Sequence, residues 1–214
     1  MSRTEYESRL PTASDEPQTA GSPWVSRFRG FHFSKQVSVA VGLIRGGVWR
    51  LRGRSDGWPV VHPTVRVACR NGRIRVGHFT NLGRRVLLQV TGAPGGPPAR
   101  LEIGAASRIW EYTRVIVHTS VSIGDNCAIS WNCNILDGDL HRMTYDGDVW
   151  ENDRAPIVIE DHVWIGCNVT VLKGVTIGSG AVIAAGSVVA RDIPPRTLAA
   201  GVPAKPIKHV ESWT

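Results

Sequence analysis

The sequence predicts an all-β fold: a parallel β-helix of six-residue repeats with an N-terminal extension and one protruding loop. Three observations support this class. An aliphatic residue recurs at a period of six through most of residues 101–195, and a small or short residue usually follows it four positions later. Gly or another small residue often comes directly after the aliphatic one. This period fits neither an α-helix nor a half-buried strand, and it is typical of hexapeptide repeats. The aliphatic anchors are Ile103, Ile109, Val115, Ile123, Ile129, Ile135, Ile159, Ile165, Val171, Ile177, Ile183 and Val189.

The period also predicts the shape of the core. Each hexad supplies one short strand and one turn, and three hexads close a triangular coil of about 18 residues. Anchors one coil apart, such as Ile159 and Ile177 or Ile165 and Ile183, should then stack inside the prism. Burying each such side chain is worth about 1.5–3 kcal/mol.

The chain divides into four predicted regions. Residues 1–33 lack aliphatic periodicity and are rich in Ser, Thr, Pro and acidic residues, so we expect a disordered or extended N-terminus. Residues 34–59 mix apolar and basic positions with several glycines, which predicts a short helical or irregular cap. The β-helix should cover 60–195, with the loop at 137–156 protruding from it. A polar C-terminal tail occupies 196–214.

Composition narrows the partners and the compartment. The net charge of +7 is compatible with an anionic partner or with a solvated basic surface. No nucleic-acid-binding motif is present, so we expect no nucleic acid partner. No secretory signal or membrane-spanning stretch is found, and the four cysteines form no paired framework, which together favour the cytoplasm. Peripheral membrane contact through the apolar and basic N-terminal segment is a lesser alternative.

The loop that interrupts the repeats concentrates ionisable side chains, and His141 is its sole histidine. An imidazole near carboxylates is suited to accept a proton at neutral pH. A surface loop with an incidental histidine is the alternative interpretation. If His141 is a base, Asp137 or Asp139 could orient its ring.

The segment ISWNCNILDGDLHR, followed by PIVIEDHVWIGCNVTVLKGVTIGSGAVIAAGSVVARDIPPRTLAAGVPAKPIK, resembles the hexapeptide-repeat O-acetyltransferases. These include the maltose, galactoside, nodulation-factor and exopolysaccharide acetyltransferases. The resemblance covers residues 101–209 and implies a left-handed β-helix that assembles as a homotrimer. It also implies that acetyl-CoA binds in a groove between subunits, that no metal is required, and that a small-molecule or glycan acceptor receives the acetyl group on a hydroxyl.

Individual site residues follow from the same resemblance. His141 matches the family's general base. Trp164 matches a Trp near the thiol end of the cofactor, and Cys167 and Ala185 match positions whose backbone meets the pantetheine arm. The positions matching the basic residues near the nucleotide end are Arg191, Lys205 and Lys208.

The acceptor-binding residues cannot be transferred from the family, because the corresponding N-terminal segment does not align. Trp110, Trp131 and Trp150, with Glu111 and Asn132, could bind a sugar ring or a larger hydrophobic alcohol. Trp110 and Trp131 could equally pack at a trimer interface.

Other activities remain open on this fold. An N-acetyltransferase or another acyl-CoA acyltransferase would use the same groove. A zinc carbonic anhydrase of the γ type would need three converging histidines, for which His118, His141 and His162 are available, although the expected spacing is absent. A non-catalytic scaffold would not explain the His141 loop.

Overall fold

The structure is a computed structural model, and the part it describes comprises residues 41–42, 44–49, 55, 57–139, 141, 143–145, 148–150 and 154–214. The segment predicted to be disordered or extended, 1–33, lies outside the described residues. Residues 41–42 and 44–49 are helical. No helix in the described part of the chain has the length and apolar character needed to span a bilayer.

Three sheets, which we call sheets I, II and III, form the faces of a prism. Apart from the final strand of sheet I, neighbouring strands within each sheet are parallel and come from successive coils, as the period of six predicts. The predicted all-β, parallel β-helical class is therefore confirmed. Sheet I contains β1 (Val60–Val61), β4 (Asn81–Leu82), β7 (Arg108–Ile109), β10 (Ala128–Ile129), β15 (Trp164–Ile165), β18 (Val182–Ile183), β20 (Thr197–Gly201) and β21 (Ala204–His209). Sheet II contains β2 (Arg66–Arg70), β5 (Leu87–Thr91), β8 (Arg114–Val117), β11 (Asn134–Leu136), β16 (Thr170–Val171) and β19 (Val188–Val189). Sheet III contains β3 (Gly72–Val76), β6 (Ala99–Ile103), β9 (Ser120–Ile123), β14 (Ile157–Ile159) and β17 (Thr176–Ile177).

Aliphatic columns fill the prism. Ile129, Ile165 and Ile183 stand opposite one another in successive strands of sheet I, and each is at most 1% exposed. The next inward position is smaller, because it lies beside a corner, and it is occupied on the same coils by Cys127 and Ala181 among others. The core is thus the one that the hexad pattern predicts.

The corners of the prism require backbone that few side chains tolerate. Asn126, Asn132, His162 and Asn168 have φ between 55° and 57°, in the left-handed region where Asn is favoured among non-glycine residues. Asn132 Nδ2 donates to Asn168 Oδ1 at 2.7 Å, which links two corners of successive coils. The corners therefore stack as regularly as the strands.

The long loop leaves the prism between β11 of sheet II and β14 of sheet III. Its base is closed by an antiparallel bridge between Gly138 and Arg154. Within it, β12 (Met143–Tyr145) and β13 (Asp148–Trp150) pair as an antiparallel hairpin. The loop is thus an insertion at one corner, and the coil continues after it in register.

Sheet I continues beyond residue 195, where the sequence pattern predicts that the repeats end. β20 pairs in parallel with β18, and Ala199 is fully buried opposite Ile183. β21 then turns back and pairs antiparallel with β20. The short apolar side chain of Ala199 is enough to extend the aliphatic column of Ile183. The polar tail therefore still contributes two strands to the sheet.

Candidate active site

An apolar groove of about 500 Å³ runs along the outer face of sheet I. Three residues that the sequence associates with a cofactor, Trp164, Cys167 and Ala185, line it together. They are brought together because β15 and β18 are neighbours in the sheet. The remaining lining residues are Trp110, Ala128, Ile129, Ser130, Trp131, Gly166, Val182, Ile183, Ala184 and Leu198.

The local sequence explains the shape of this groove. Strand alternation buries Ile165 in the core and turns Trp164 outward, where its side chain is 43% exposed. Gly166 follows, and a Cβ there would come within 2.6 Å of the Ala185 backbone nitrogen. The small residues at this point therefore let adjacent coils approach closely beside a projecting indole.

Two further indoles extend the groove. Trp110 and Trp131 are about half exposed, and their rings stack with centroids 6.0 Å apart and planes 23° from parallel. Trp110 follows β7 and Trp131 follows β10, which are neighbouring strands. The groove thus presents an aromatic surface at one end.

The C-terminal tail contributes a residue that the sequence analysis missed. Trp213 stacks on the ring of His162, with centroids 4.3 Å apart and planes 10° from parallel. Its Nε1 donates to the carbonyl oxygen of His162 at 2.9 Å, and its ring centroid lies 6.1 Å from that of Trp164. The tail is therefore anchored beside the groove. An isolated Trp in a polar tail was the available signal.

The three basic residues predicted to lie near the nucleotide end do not line the groove. Lys205 and Lys208 are exposed on β21, and Lys208 stands opposite Leu198, which does line it. Arg191 is exposed just after β19 of sheet II. The two lysines thus lie at the edge of the sheet that carries the groove, whereas Arg191 follows a strand of a different face.

His141 is exposed in a bend of the loop, four residues after Asp137. The described contacts of the two candidate orienting carboxylates are with residues other than His141. Asp137 is fully buried and accepts hydrogen bonds from the backbone nitrogens of His118, Thr119 and Ser120 at 2.7–2.9 Å.

Asp139, the other candidate, forms an ion pair with Lys173. We therefore correct the expectation that one of these carboxylates orients the His141 ring. The carboxylate of Asp137 holds the turn of the preceding coil instead, and that of Asp139 reaches a later coil.

The corner that carries His141 lies opposite the groove. In a triangular coil, the corner between sheets II and III faces sheet I across the prism. To reach the groove along the outside of the prism, the loop would have to extend past one whole face of the triangle, which is six residues long. His141 is only four residues beyond the corner. The groove and the imidazole of one copy are therefore on opposite sides of the prism.

The buried thiols and the histidines offer no alternative reaction centre among the described residues. Burial raises the pKa of both Cys127 and Cys133 to about 11, which keeps them protonated and unreactive. Across the described ranges, no three His, Cys, Asp or Glu side chains converge in a way that could hold a metal ion. His162 is engaged with Trp213 and His118 lies against Asp137.

A concave surface larger than the groove, about 740 Å³, lies on sheet III and contains none of the predicted site residues. Three of its carboxylates accept hydrogen bonds from backbone at the corners. Asp125 accepts from the Ala105 backbone nitrogen, Asp161 accepts from that of Asp125, and Glu160 accepts from that of Ser179. We assign these acidic residues to turn stabilisation.

Comparison with known proteins agrees with the repeat pattern. The family model for the bacterial transferase hexapeptide (six repeats) matches residues 156–191. Galactoside O-acetyltransferase of Escherichia coli K12 is 42% identical over 94 residues, which cover 42% of this chain and 45% of that protein. 2,3,4,5-Tetrahydropyridine-2,6-dicarboxylate N-acetyltransferase of Halalkalibacterium halodurans is 39% identical over 136 residues, or 54% of this chain and 55% of that protein. The chain thus spans about half the length of these curated relatives.

Solved structures show the same fold. A variant of AntD, an N-acyltransferase from Bacillus cereus in complex with dTDP-4-amino-4,6-dideoxyglucose and coenzyme A, superposes with a TM-score of 0.63 at 18% identity. The match covers 76% of this chain and 88% of that one. A hexapeptide-repeat acetyltransferase of Vibrio cholerae, complexed with acetyl coenzyme A, gives a TM-score of 0.53 at 24% identity over 99% of this chain and all of that one. The stacked prism is therefore the left-handed parallel β-helix of hexapeptide repeats, and the resemblance to the hexapeptide-repeat acetyltransferases is confirmed.

Proposed function

We propose that this protein transfers an acetyl group from acetyl-CoA to a hydroxyl of a sugar, a glycan or a glycosylated natural product. The observation that carries the proposal is the groove on sheet I, which gathers Trp164, Cys167 and Ala185 from two neighbouring coils. Its apolar lining and close backbone approach suit an extended, amide-bearing arm such as pantetheine. Structural neighbours bound to coenzyme A or acetyl coenzyme A support the choice of donor.

In this mechanism His141 is the general base. The acceptor oxygen attacks the thioester carbonyl while its proton passes to the imidazole. The carbon–sulfur bond then breaks, and the protonated His141 returns the proton to the departing sulfur, so that an ester and a free thiol remain. The exposed position of His141 in the loop leaves its ring accessible to an acceptor. No covalent enzyme intermediate is required.

The opposite placement of groove and imidazole supports assembly as a homotrimer. If one copy's groove faced the loop corner of the next copy, the two halves of the site would meet at each interface. Cyclic symmetry repeats such a contact identically around the ring. Each trimer would then hold three equivalent sites, with Trp164 from one copy and His141 from its neighbour.

The experiment is a thiol-release assay with acetyl-CoA against a panel of sugars, glycosides and nucleotide sugars. We expect turnover with hydroxyl acceptors, and the variant His141→Ala should lower kcat by roughly 10²–10⁴-fold, as is usual for loss of a general base. Near-normal turnover of His141→Ala would contradict the assigned base. Absence of thiol release with every acceptor would contradict the proposed transfer.

Transfer to an amine is the second candidate. The dicarboxylate N-acetyltransferase among the relatives and the N-acyltransferase among the structural neighbours favour it. Pairs of acceptors that differ only in bearing an amino group or a hydroxyl at one carbon separate the two. A product that resists mild alkaline hydrolysis would be an amide, and one that releases acetate would be an ester.

A further inference from the structure

A second pocket, of about 370 Å³, lies at the corner where the His141 loop leaves the prism. We call it the corner pocket, and the lining residues that matter are Pro97, Pro98, Arg100, His118, Ser120 and Arg154. The residues come from three successive excursions at the corner between sheets II and III. Since Arg154 lines the pocket and pairs with Gly138, the pocket lies beside the base of the loop that carries His141.

The corner pocket is positively charged. Arg100 lies on β6 and Arg154 at the end of the loop, so the two guanidinium groups come from different coils. Arg73, opposite Arg100 in the adjacent strand β3, adds a third positive charge to this face. No carboxylate lies among the described residues that line the pocket.

His118 adds an imidazole whose orientation is set by its contact with the buried Asp137. Its Nδ1 lies 3.4 Å from Oδ1 of Asp137, and that nitrogen is buried without a hydrogen bond. Asp137 is itself fully buried and fixed by three backbone N–H groups and the Thr119 hydroxyl. A carboxylate held this firmly keeps Nδ1 of the ring on its side and leaves Nε2 for the pocket.

Pro97 and Pro98 supply a rigid apolar part of the pocket lining. A binding site that combines a stiff apolar surface with two guanidinium groups and an imidazole suits a ring that bears an anionic group, since guanidinium pairs carboxylate and phosphate through two parallel hydrogen bonds. A neutral sugar would leave the two guanidinium groups without an anionic partner.

We propose that the corner pocket binds the anionic group of the acceptor, so that the acceptor is a sugar bearing a carboxylate or a phosphate. This inference rests on the proposed function for the position of the reacting hydroxyl beside His141. It assigns Arg100 and Arg154 to recognition of the anion and His118 to a third contact. Asp137 is a positioning residue that acts through His118 and the turn before β9.

The test compares matched acceptors in the thiol-release assay. Methyl β-D-glucoside, methyl β-D-glucuronide and glucose 6-phosphate present a neutral ring, a carboxylate and a phosphate. We expect one of the two anionic acceptors to exceed the neutral one in kcat/KM by about tenfold or more, the scale of a charge-assisted bidentate contact. In Arg100→Gln and Arg154→Gln this ratio should fall about tenfold, and in the control Arg66→Gln, an exposed residue of β2 outside the pocket, it should not change. Equal kcat/KM for all three acceptors would overturn the inference.

A binding measurement separates failure of the pocket from failure of the proposed transfer. Calorimetric titration of methyl β-D-glucuronide and of glucose 6-phosphate into the protein requires no acetyl-CoA. Binding that is weakened in both arginine variants, without turnover of any acceptor, would support the pocket and contradict the transferase. Turnover of neutral sugars, with no anion binding at all, would support the transferase and contradict the pocket. Should an arginine variant fail to fold, His118→Gln, judged by the same titration, provides the decision.

Discussion

Mixed oligomers of two inactive variants test the shared site directly. In one variant, His141→Ala removes the base and leaves the groove intact. In the other, Ala185→Trp fills the groove, where small side chains lie beside Trp164, and leaves the base intact. Because the loop corner and sheet I are on opposite sides of the prism, each site should combine the two elements from different copies.

The expected recovery follows from counting interfaces. When the two variants are co-expressed in equal amounts and assemble at random, an interface is functional only if the Ala185→Trp copy supplies His141 and the His141→Ala copy supplies the groove. Every mixed trimer has one such interface among its three, so hybrids freed of both homotrimers should reach about a third of the wild-type activity. Each variant alone should remain roughly 10²–10⁴-fold below wild type.

The assay is thiol release from acetyl-CoA by hybrids purified through two different affinity tags. A double variant carrying both substitutions on one chain, co-expressed with wild type, gives the matched control, since one copy type then contributes nothing to any site. Activity of the hybrids no higher than the mean of the two parents, despite verified mixed trimers, would refute the shared site. It would mean that groove and base act within a single copy.

Three further predictions concern the groove, the thiols and the core. Trp213→Ala should raise the KM for acetyl-CoA several-fold with little change in kcat, because Trp213 is anchored beside Trp164; steady-state kinetics measures this. Burial raises the pKa of Cys127 and Cys133 to about 11, so at pH 8 iodoacetamide should label exposed Cys69 and spare both in the folded protein, as mass spectrometry can show. Ile165→Ala should lower the free energy of unfolding by about 2–5 kcal/mol in urea titrations, because it empties one position in a fully buried column.

A specific result would contradict each of these three predictions. Val202 is exposed between β20 and β21, so Val202→Ala controls for general effects of changing the C-terminal region. An equal rise in KM in that variant would contradict a specific role for Trp213. Native-state labelling of Cys127 at the rate of Cys69 would mean that the corner opens freely. If Ile165→Ala lowered the free energy of unfolding by less than about 1 kcal/mol, the result would be inconsistent with a close-packed column.

The repeat itself could be predicted from the sequence in detail. A period of six is local information: it determines which side chains point inward and which coils are neighbours, and so Ile165 and Ile183 were expected to stack. The same register brought Trp164 and Ala185 together in one groove. The anchors could be predicted without knowledge of long-range contacts. In a β-helix, the residue that stacks on an anchor always lies one coil away along the chain.

The partners of side chains at insertions and at the tail were decided by the tertiary structure. Asp137, close to His141 along the chain, binds the backbone at residues 118–120, because parallel coils bring successive corners together. Trp213 reaches His162 from the end of the chain, and Arg100 and Arg154 meet at one pocket across the loop. The period carries no information about these contacts, since each depends on where the chain returns after leaving the repeat. The sequence alone therefore determined the prism and its columns, and the folded chain determined which charged and aromatic groups meet on its surface.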